Sequence, residues 1–351
     1  MNNIKKIGLS ALAGSLAMVS ANAVEYTMSG GLMATYTTQD DANKQNAGSG
    51  KGIGTATDLS FNASGELDNG FTVGYAMAVD TNGALSNTSS QMTIGMGSLG
   101  TLQVNNKFGS KANGIDDISP TAYNETWDGL TSGTANNPSF FGSGTSSGSI
   151  DYRIPAQEFE GVTLNASITY DPNHSVGPAS KGGVAASNGG KGLAYTLQMA
   201  HESGLEVGAG IELLDAQQGQ AAGTHNEGTD RYTGYIKYAM SGITVSYQQS
   251  EQNTAHNTSA AAAGRGADKT SEMIGVAYTS GDITVSYGES EMKTKKVGAT
   301  AELATIKLDS IQAAYVMGAM TVSAATSSTS NVDGVTGEDY SENTLAVSFA
   351  F

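Results

Sequence analysis

ITVSYQQSE at residues 243–251 returns almost letter for letter as ITVSYGESE at residues 283–291, and the reading of this pair decides the fold. In both copies apolar and polar side chains alternate. Ile243, Val245 and Tyr247 stand against Thr244, Ser246 and Gln248, and Ile283, Val285 and Tyr287 against Thr284 and Ser286. Successive side chains of a strand point to opposite faces, so each segment has one greasy and one polar side. Each copy follows a short glycine-containing break, at 240–242 and 279–282, and before each break lies a β-rich run ending in tyrosine, Tyr238 or Tyr278. A fainter third copy runs through Tyr315, Val316, Gly318 and 320–323. A run, a tight turn and a second run make a hairpin, and the strong pair recurs at a spacing of about 40 residues.

Most of the chain reads the same way. Tyr26, Met28, Leu32, Ala34 and Tyr36 share one parity, with Met33 an exception on the other. Leu59, Phe61 and Ala63 mark a second strand, a turn at 67–70 carries the Asn-Gly signature, and Phe71, Val73, Tyr75, Met77 and Val79 mark a third. Further strands are expected at 91–97, 101–106, 162–170, 193–199, 205–213, 305–316, 320–326 and 343–351. GMGSLG at 95–100 matches a dinucleotide fingerprint, but a strand follows it where the fingerprint needs a helix, so it reads as a hairpin turn.

Connections sort by length. Breaks after Leu67, Met96, Ile154, Glu202, Met240, Thr279 and Met317 are short. The stretches 37–57, 172–190, 217–229, 252–269, 292–304 and 328–341 are long, polar and rich in Asn, Ser, Thr and Gly. Composition alone leaves open a soluble all-β protein with a tyrosine-containing core. Brief turns at one end and extended loops at the other are how membrane barrels are arranged, and a sandwich or propeller has no reason to sort them so. The expectation is an all-β, single-chain transmembrane antiparallel barrel of about 16 strands, within two. At that size side chains no longer fill the interior and a water channel remains. Thr163, Asn165, Ser167, Thr244, Ser246, Gln248, Thr284, Ser286 and Lys307 are expected inside. Tyr26, Tyr75, Tyr170, Tyr232, Tyr247, Tyr278 and Tyr287, near strand ends on the outer parity, would form interfacial girdles.

Residues 1–23 read as a secretory signal peptide, with Lys5 and Lys6, an apolar and small-residue core from Ile7 to Met18, and a small-residue cleavage site at 21–23. The barrel domain then spans 24–351. The formal net charge is −16, and it grows two units more negative once Lys5 and Lys6 leave. That balance argues against nucleic acid, whose phosphates are neutralised by Lys and Arg. No cysteine is present to staple the fold.

Several weak features occur in one order: the signal sequence, the LGTLQV segment at 99–104 before the longest interruption, the repeated TVSY strands, and TLAVSFAF at 344–351. Together they make the mature chain resemble the general, trimeric, 16-stranded porins of Gram-negative bacteria, in particular the alphaproteobacterial type. The resemblance implies an outer-membrane homotrimer among lipid and lipopolysaccharide, passing ions and small hydrophilic solutes by diffusion. It also implies a third loop folded into the lumen to narrow the pore, at 107–149 here. Val347, Phe349 and Phe351, at alternate positions of a last strand ending in Phe, resemble the signal read by the barrel assembly machinery. One departure stands out: such porins often line the wall with an arginine cluster, and this chain has only Arg153, Arg231 and Arg265.

That long interruption carries Asp116, Asp117, Glu125 and Asp128, with Tyr123, Trp127, Phe140 and Phe141. A long loop inside a compact protein is usually functional or disordered, and the aromatic residues argue for an ordered one. The other readings are an ordinary external loop and a solvated acidic patch. In the constriction reading, strand parity turns Lys107, Arg153, Arg231 and Lys237 inward against the carboxylates. Opposed rows would set up a transverse field with a weak cation preference. His174, His201, His225 and His256 stand at no metal-ligand spacing, no EF-hand pattern appears, and no cofactor is expected beyond loose Ca²⁺ or Mg²⁺ at acidic loops. His201 is the one candidate for a lipid-side Ser–His pair, with no identifiable partner. The competing functional classes are a non-conducting structural or adhesive barrel and a substrate-specific porin for amino acids, polyamines or sugars.

Overall fold

The computed structural model describes residues 25–41, 50–80, 86–128, 137–174, 190–215, 228–254, 267–296 and 302–351. The signal-peptide reading at 1–23, together with His225, His256 and Arg265, lies outside the described residues.

The strands are β1 (Glu25–Asp41), β2 (Gly50–Glu66), β3 (Thr72–Asp80), β4 (Ser86–Gly95), β5 (Thr101–Asn106), β6 (Ser149–Arg153), β7 (Gln157–Phe159), β8 (Val162–Asp171) and β9 (Gly192–His201). They continue as β10 (Leu205–Leu214), β11 (Thr229–Met240), β12 (Ile243–Thr254), β13 (Ala267–Ser280), β14 (Ile283–Lys296), β15 (Ile306–Met317), β16 (Met320–Ser330) and β17 (Tyr340–Ala350). Every pairing is antiparallel, and β1 lies between β2 and β17, so the sheet closes on itself. Since β6 and β7 lie end to end against β8, the ring has 16 strand positions. No helix among the described residues is long and apolar enough to cross a membrane; the crossing is made by strands.

The apolar parity faces out. Ile274 is 51% exposed while its neighbour Met273 is 0% exposed, and Ile236 is 47% exposed beside Tyr235 at 6%. Ser246, Gln248 and Ser286 are buried on the inner parity. The tyrosines expected in the girdles are all exposed on the outer parity. This arrangement puts Val, Ile and Tyr against lipid while closure satisfies every strand edge. All the short turns but the one placed after Ile154 hold as expected; at 241–242, Ser241 and Gly242 both adopt positive φ (51° and 83°), the pair that a tight hairpin needs.

Three expectations need correction, and one exception holds. β1 runs to Asp41 and β2 starts at Gly50, inside the stretch read as a 37–57 loop, because backbone ladders continue above the apolar band where alternation fades. The break placed after Ile154 is not the turn. Pro155 only interrupts the ladder, which resumes as β7 before reversing at Glu160 and Gly161. Lys307 faces outward, not inward: Ile306 and Leu308 hold the inner parity, and Lys307 pairs with Glu291 on the outer surface. Met33, the exception to the β1 alternation, does face the lumen, and it meets a residue of the third loop.

Candidate functional site

The chain between β5 and β6 leaves the wall at Lys107, whose left-handed backbone (φ 73°) ends the strand, and returns where Gly148 N–H donates to Asn105 O at 2.9 Å. Between these points its described residues lie along the inside of the barrel, held by polar side chains of the inner parity. Gln91 Nε2 (β4) and Gln103 Nε2 (β5) donate to the carbonyls of Phe108 and Gly109 at 2.6 and 2.8 Å. Gln248 on β12 accepts from Ile118 N–H at 3.0 Å and donates to Ile115 O at 2.8 Å. Ser286 Oγ on β14 accepts from Ala122 N–H at 2.8 Å. Gln312 on β15 accepts from Tyr123 N–H at 2.8 Å and donates to Asn124 O at 2.7 Å. Tyr123 Oη then reaches Met33 Sδ on β1 at 3.4 Å. On the return, Ser271 Oγ of β13 donates to Pro138 O at 2.9 Å.

Apolar packing seats the same loop. Ala112, Ile115 and Phe141 are buried with Ala194 and Tyr235 of the wall, and Ile118 packs on them. Trp127 packs on Met292, Ile306 and Leu308. Glycines open the wall where the loop comes closest: a Cβ at Gly275 would stand 2.6 Å from Pro120 Cδ, and one at Gly210 or Gly288 would run into Phe141 or Thr126. The wall is thus notched to receive this loop.

Burial against that wall sets the state of the loop carboxyls. Desolvation pushes Asp116 up to about 6, with the Asp117 N–H opposing. Desolvation pushes Glu125 up to about 8, helped by the nearby charges of Asp117, Asp128 and Asp116. Asp117 and Asp128 are raised for the same leading reason. Asp117 Oδ1 accepts from Ser119 N–H at 2.8 Å. None of the four forms a salt bridge among the described residues.

The basic row differs from the expected one. Arg153 faces inward but pairs with buried Asp151 at 2.8 Å and donates to Gly109 O at 2.8 Å. Arg231 pairs with buried Glu212 at 2.8 Å and donates to Ser143 Oγ at 2.8 Å, so both arginines clamp the ends of the loop. Lys237 pairs with Glu206 at 2.8 Å. Lys107 leaves the row altogether, because its left-handed backbone turns Nζ to Asn87 O. Lys269, unremarked in the sequence, is inward on β13 with Nζ 6.0 Å from the Phe140 ring centroid. The structure therefore does not oppose a free basic row to a charged acidic one; its inward arginines and Lys237 are neutralised by wall carboxylates.

A model of the Gram-negative porin family matches residues 8–351. The chain belongs to the Gram-negative porin family. No curated protein matches it at the sequence level. Among solved structures it is similar to an anion-selective porin from Comamonas acidovorans, at 13% identity and TM-score 0.64, covering 93% of this chain and 100% of that one. It is also similar to Salmonella typhi OmpF in complex with daunomycin (13%, TM-score 0.63, covering 93% and 98%). A third is OmpT of Vibrio cholerae in its trimer form (10%, TM-score 0.59, covering 93% and 99%). At such identities the likeness shows the fold, and the family match is broader than the alphaproteobacterial type.

As a porin, the protein is an outer-membrane channel and not an enzyme. His201 Nδ1 lies 2.8 Å from Ser203 Oγ and also accepts from the Ser203 N–H, so it caps the turn between β9 and β10. His174 Nε2 is 2.8 Å from Asp215 O and ties two strand ends together. Among the described residues no group of three or more ligating side chains could hold a metal ion. Sequence reasoning missed the anchors Gln248, Gln312 and Ser286 and the counter-charges Asp151, Glu206 and Glu212. A usable signal was present for the apolar seat, since Tyr235, Met273, Met292, Ile306 and Leu308 break the polar parity of the inner wall.

Proposed function

We propose that this porin is a water-filled channel for passive diffusion of ions and small hydrophilic solutes, with a weak preference for cations. One observation carries the preference. The inward arginines and Lys237 are tied to wall carboxylates, whereas Asp116, Asp117, Glu125 and Asp128 on the loop have no salt bridge among the described residues. At a narrow point in a low-dielectric wall, an excess of charge of one sign enriches the opposite ion, and the four loop carboxyls outnumber the inward Lys269. Raised carboxyl pKa values hold that charge down near neutral pH, which keeps the preference weak.

The rest of the reading rests on the sequence and on the resemblance to trimeric porins. The working unit is a homotrimer, exported by a signal peptide cleaved between Ala23 and Val24, and inserted by the barrel assembly machinery through Val347, Phe349 and Phe351. On β12–β15 the outer parity changes from Val, Ile and Tyr to Glu251, Glu272, Glu289, Glu291 and Asp309 toward the long-loop end, a surface suited to lipopolysaccharide headgroups and to loosely held Ca²⁺ or Mg²⁺. Reversal potentials of the purified trimer in a planar bilayer under a KCl gradient test the function. A positive selectivity for K⁺ over Cl⁻ is expected. Clear anion preference would refute the selectivity, and absence of conductance would refute the channel.

A further inference from the structure

The outer wall carries a groove of about 500 Å³ where β11 meets β12. Gly234 forms its floor, opposite Gln249. Tyr232 and Glu251 face each other across one end, and Ile236 and Tyr247 across the other. The groove exists because Gly234 has no side chain: a Cβ there would meet only Gly208 O, at 4.0 Å. The backbone does not ask for a glycine, since Gly234 is not among the residues with positive φ and its ladders to β10 and β12 run without a bulge. A glycine inside a regular strand weakens it, and often marks a place where another molecule comes close.

The groove straddles the upper edge of the apolar band. Toward the short turns the outer parity continues as Tyr238 and Met240 on β11 and as Val245 and Ile243 on β12; toward the long loops it continues as Asp230 and Asn253. A molecule that fills the groove therefore has an apolar part beside Ile236 and a polar part beside Tyr232 and Glu251. The two flanks differ as well. On the β10 side Ile211, Ala209 and Val207 stand next to Tyr232, Gly234 and Ile236, whereas on the β13 side Glu272 stands next to Gln249. Glu251 and Glu272 form no salt bridge among the described residues. Carboxylates beside tyrosine rings select a cation, and an ammonium suits both: the rings attract it and the carboxylates accept its N–H groups.

We propose that this groove binds a membrane lipid with an ammonium headgroup, its acyl chain lying over Gly234 against Ile236 and Tyr247 and its ammonium held between Tyr232 and Glu251. A phosphate placed there would need a divalent cation between itself and the carboxylates; an ammonium meets them directly. The site lies on the outside of the barrel, so it stands or falls separately from ion selectivity in the lumen.

Phosphatidylethanolamine and phosphatidylglycerol with identical acyl chains serve as probes. Their retention by the purified, delipidated porin is read by native mass spectrometry, with and without Mg²⁺, for wild type, G234L and E251Q/E272Q. Heat-modifiable mobility confirms folding, and G234L places its side chain in open space. Wild type is expected to retain about tenfold more phosphatidylethanolamine than phosphatidylglycerol. G234L, with the floor filled, should drop to the level of non-specific adducts for both lipids. E251Q/E272Q, with the floor open and the charge gone, should hold the two lipids equally. Equal or no retention by wild type, a G234L that holds phosphatidylethanolamine as wild type does, or a preference that survives in E251Q/E272Q overturns the inference. So does a Mg²⁺-dependent preference for phosphatidylglycerol, which would assign the groove to phosphate headgroups.

Discussion

Gln248 shows how one side chain positions the constriction. Its amide accepts from Ile118 N–H and donates to the Ile115 carbonyl and to Thr233 Oγ1, so a buried loop and its wall share one residue. Replacing it by alanine leaves backbone groups buried without partners, at about 1–3 kcal/mol. Q248A is expected to assemble normally but to show noisier single-channel current and faster proteolysis of the loop; quiet current would show that the anchor is dispensable. Asp116 and Glu125 give a prediction in pH. Their folded values, about 6 and about 8, lie above the ordinary carboxyl range, so the seated loop holds protons that a released loop would give up. Its stability is therefore fullest at acidic pH and is lost as pH rises through those values. Over the same window the loop gains negative charge. The K⁺/Cl⁻ ratio should climb in two steps, near 6 and near 8, and E125Q should abolish the upper one. The sequence showed these acids and aromatics as a set. It could not show Gln248 as an anchor, because its loop partners lie about 130 positions away and an inward glutamine looks like any other wall amide.

At the scale of elements, the loop and its wall are fitted to each other. Trp127 lies on Met292, Ile306 and Leu308, and Thr126 lies against Gly288, so the wall is bulky under one residue and empty under the next. G288A should push Thr126 off the wall toward the aperture, at about 1–3 kcal/mol of overpacking. The expected readout is lower single-channel conductance with unchanged heat-modifiable mobility; unchanged conductance would mean the loop has room to shift along the wall. Alternation made the strands legible wherever lipid faced one side and water the other. It failed where that contrast was missing: at the polar ends of β1 and β2, at Pro155, and at inner positions where the loop replaces water. Lys307 was misassigned for the same reason, since above the apolar band a lysine on the outer face is as well solvated as one in the lumen.

At the scale of the molecule, Phe351 extends the ladder that closes the barrel. Phe351 N–H donates to Gly30 O at 3.0 Å and Gly30 N–H donates to Phe351 O at 2.7 Å, so the chain terminus completes the ladder between β17 and β1. The ring of Phe351 itself is 73% exposed on the outer surface and lies near Gly30. Backbone and ring therefore have separable duties. F351A keeps both closing hydrogen bonds and loses an exposed aromatic, so refolding into detergent micelles should proceed nearly as in wild type. If the terminal strand also addresses the chain to the assembly machinery, F351A should accumulate poorly in the outer membrane of cells despite refolding well in vitro. Deletion of residue 351 removes the two hydrogen bonds as well, at about 0.5–1.5 kcal/mol each, and should slow refolding in both settings. Equal membrane levels of F351A and wild type would leave closure as the only duty of the terminus.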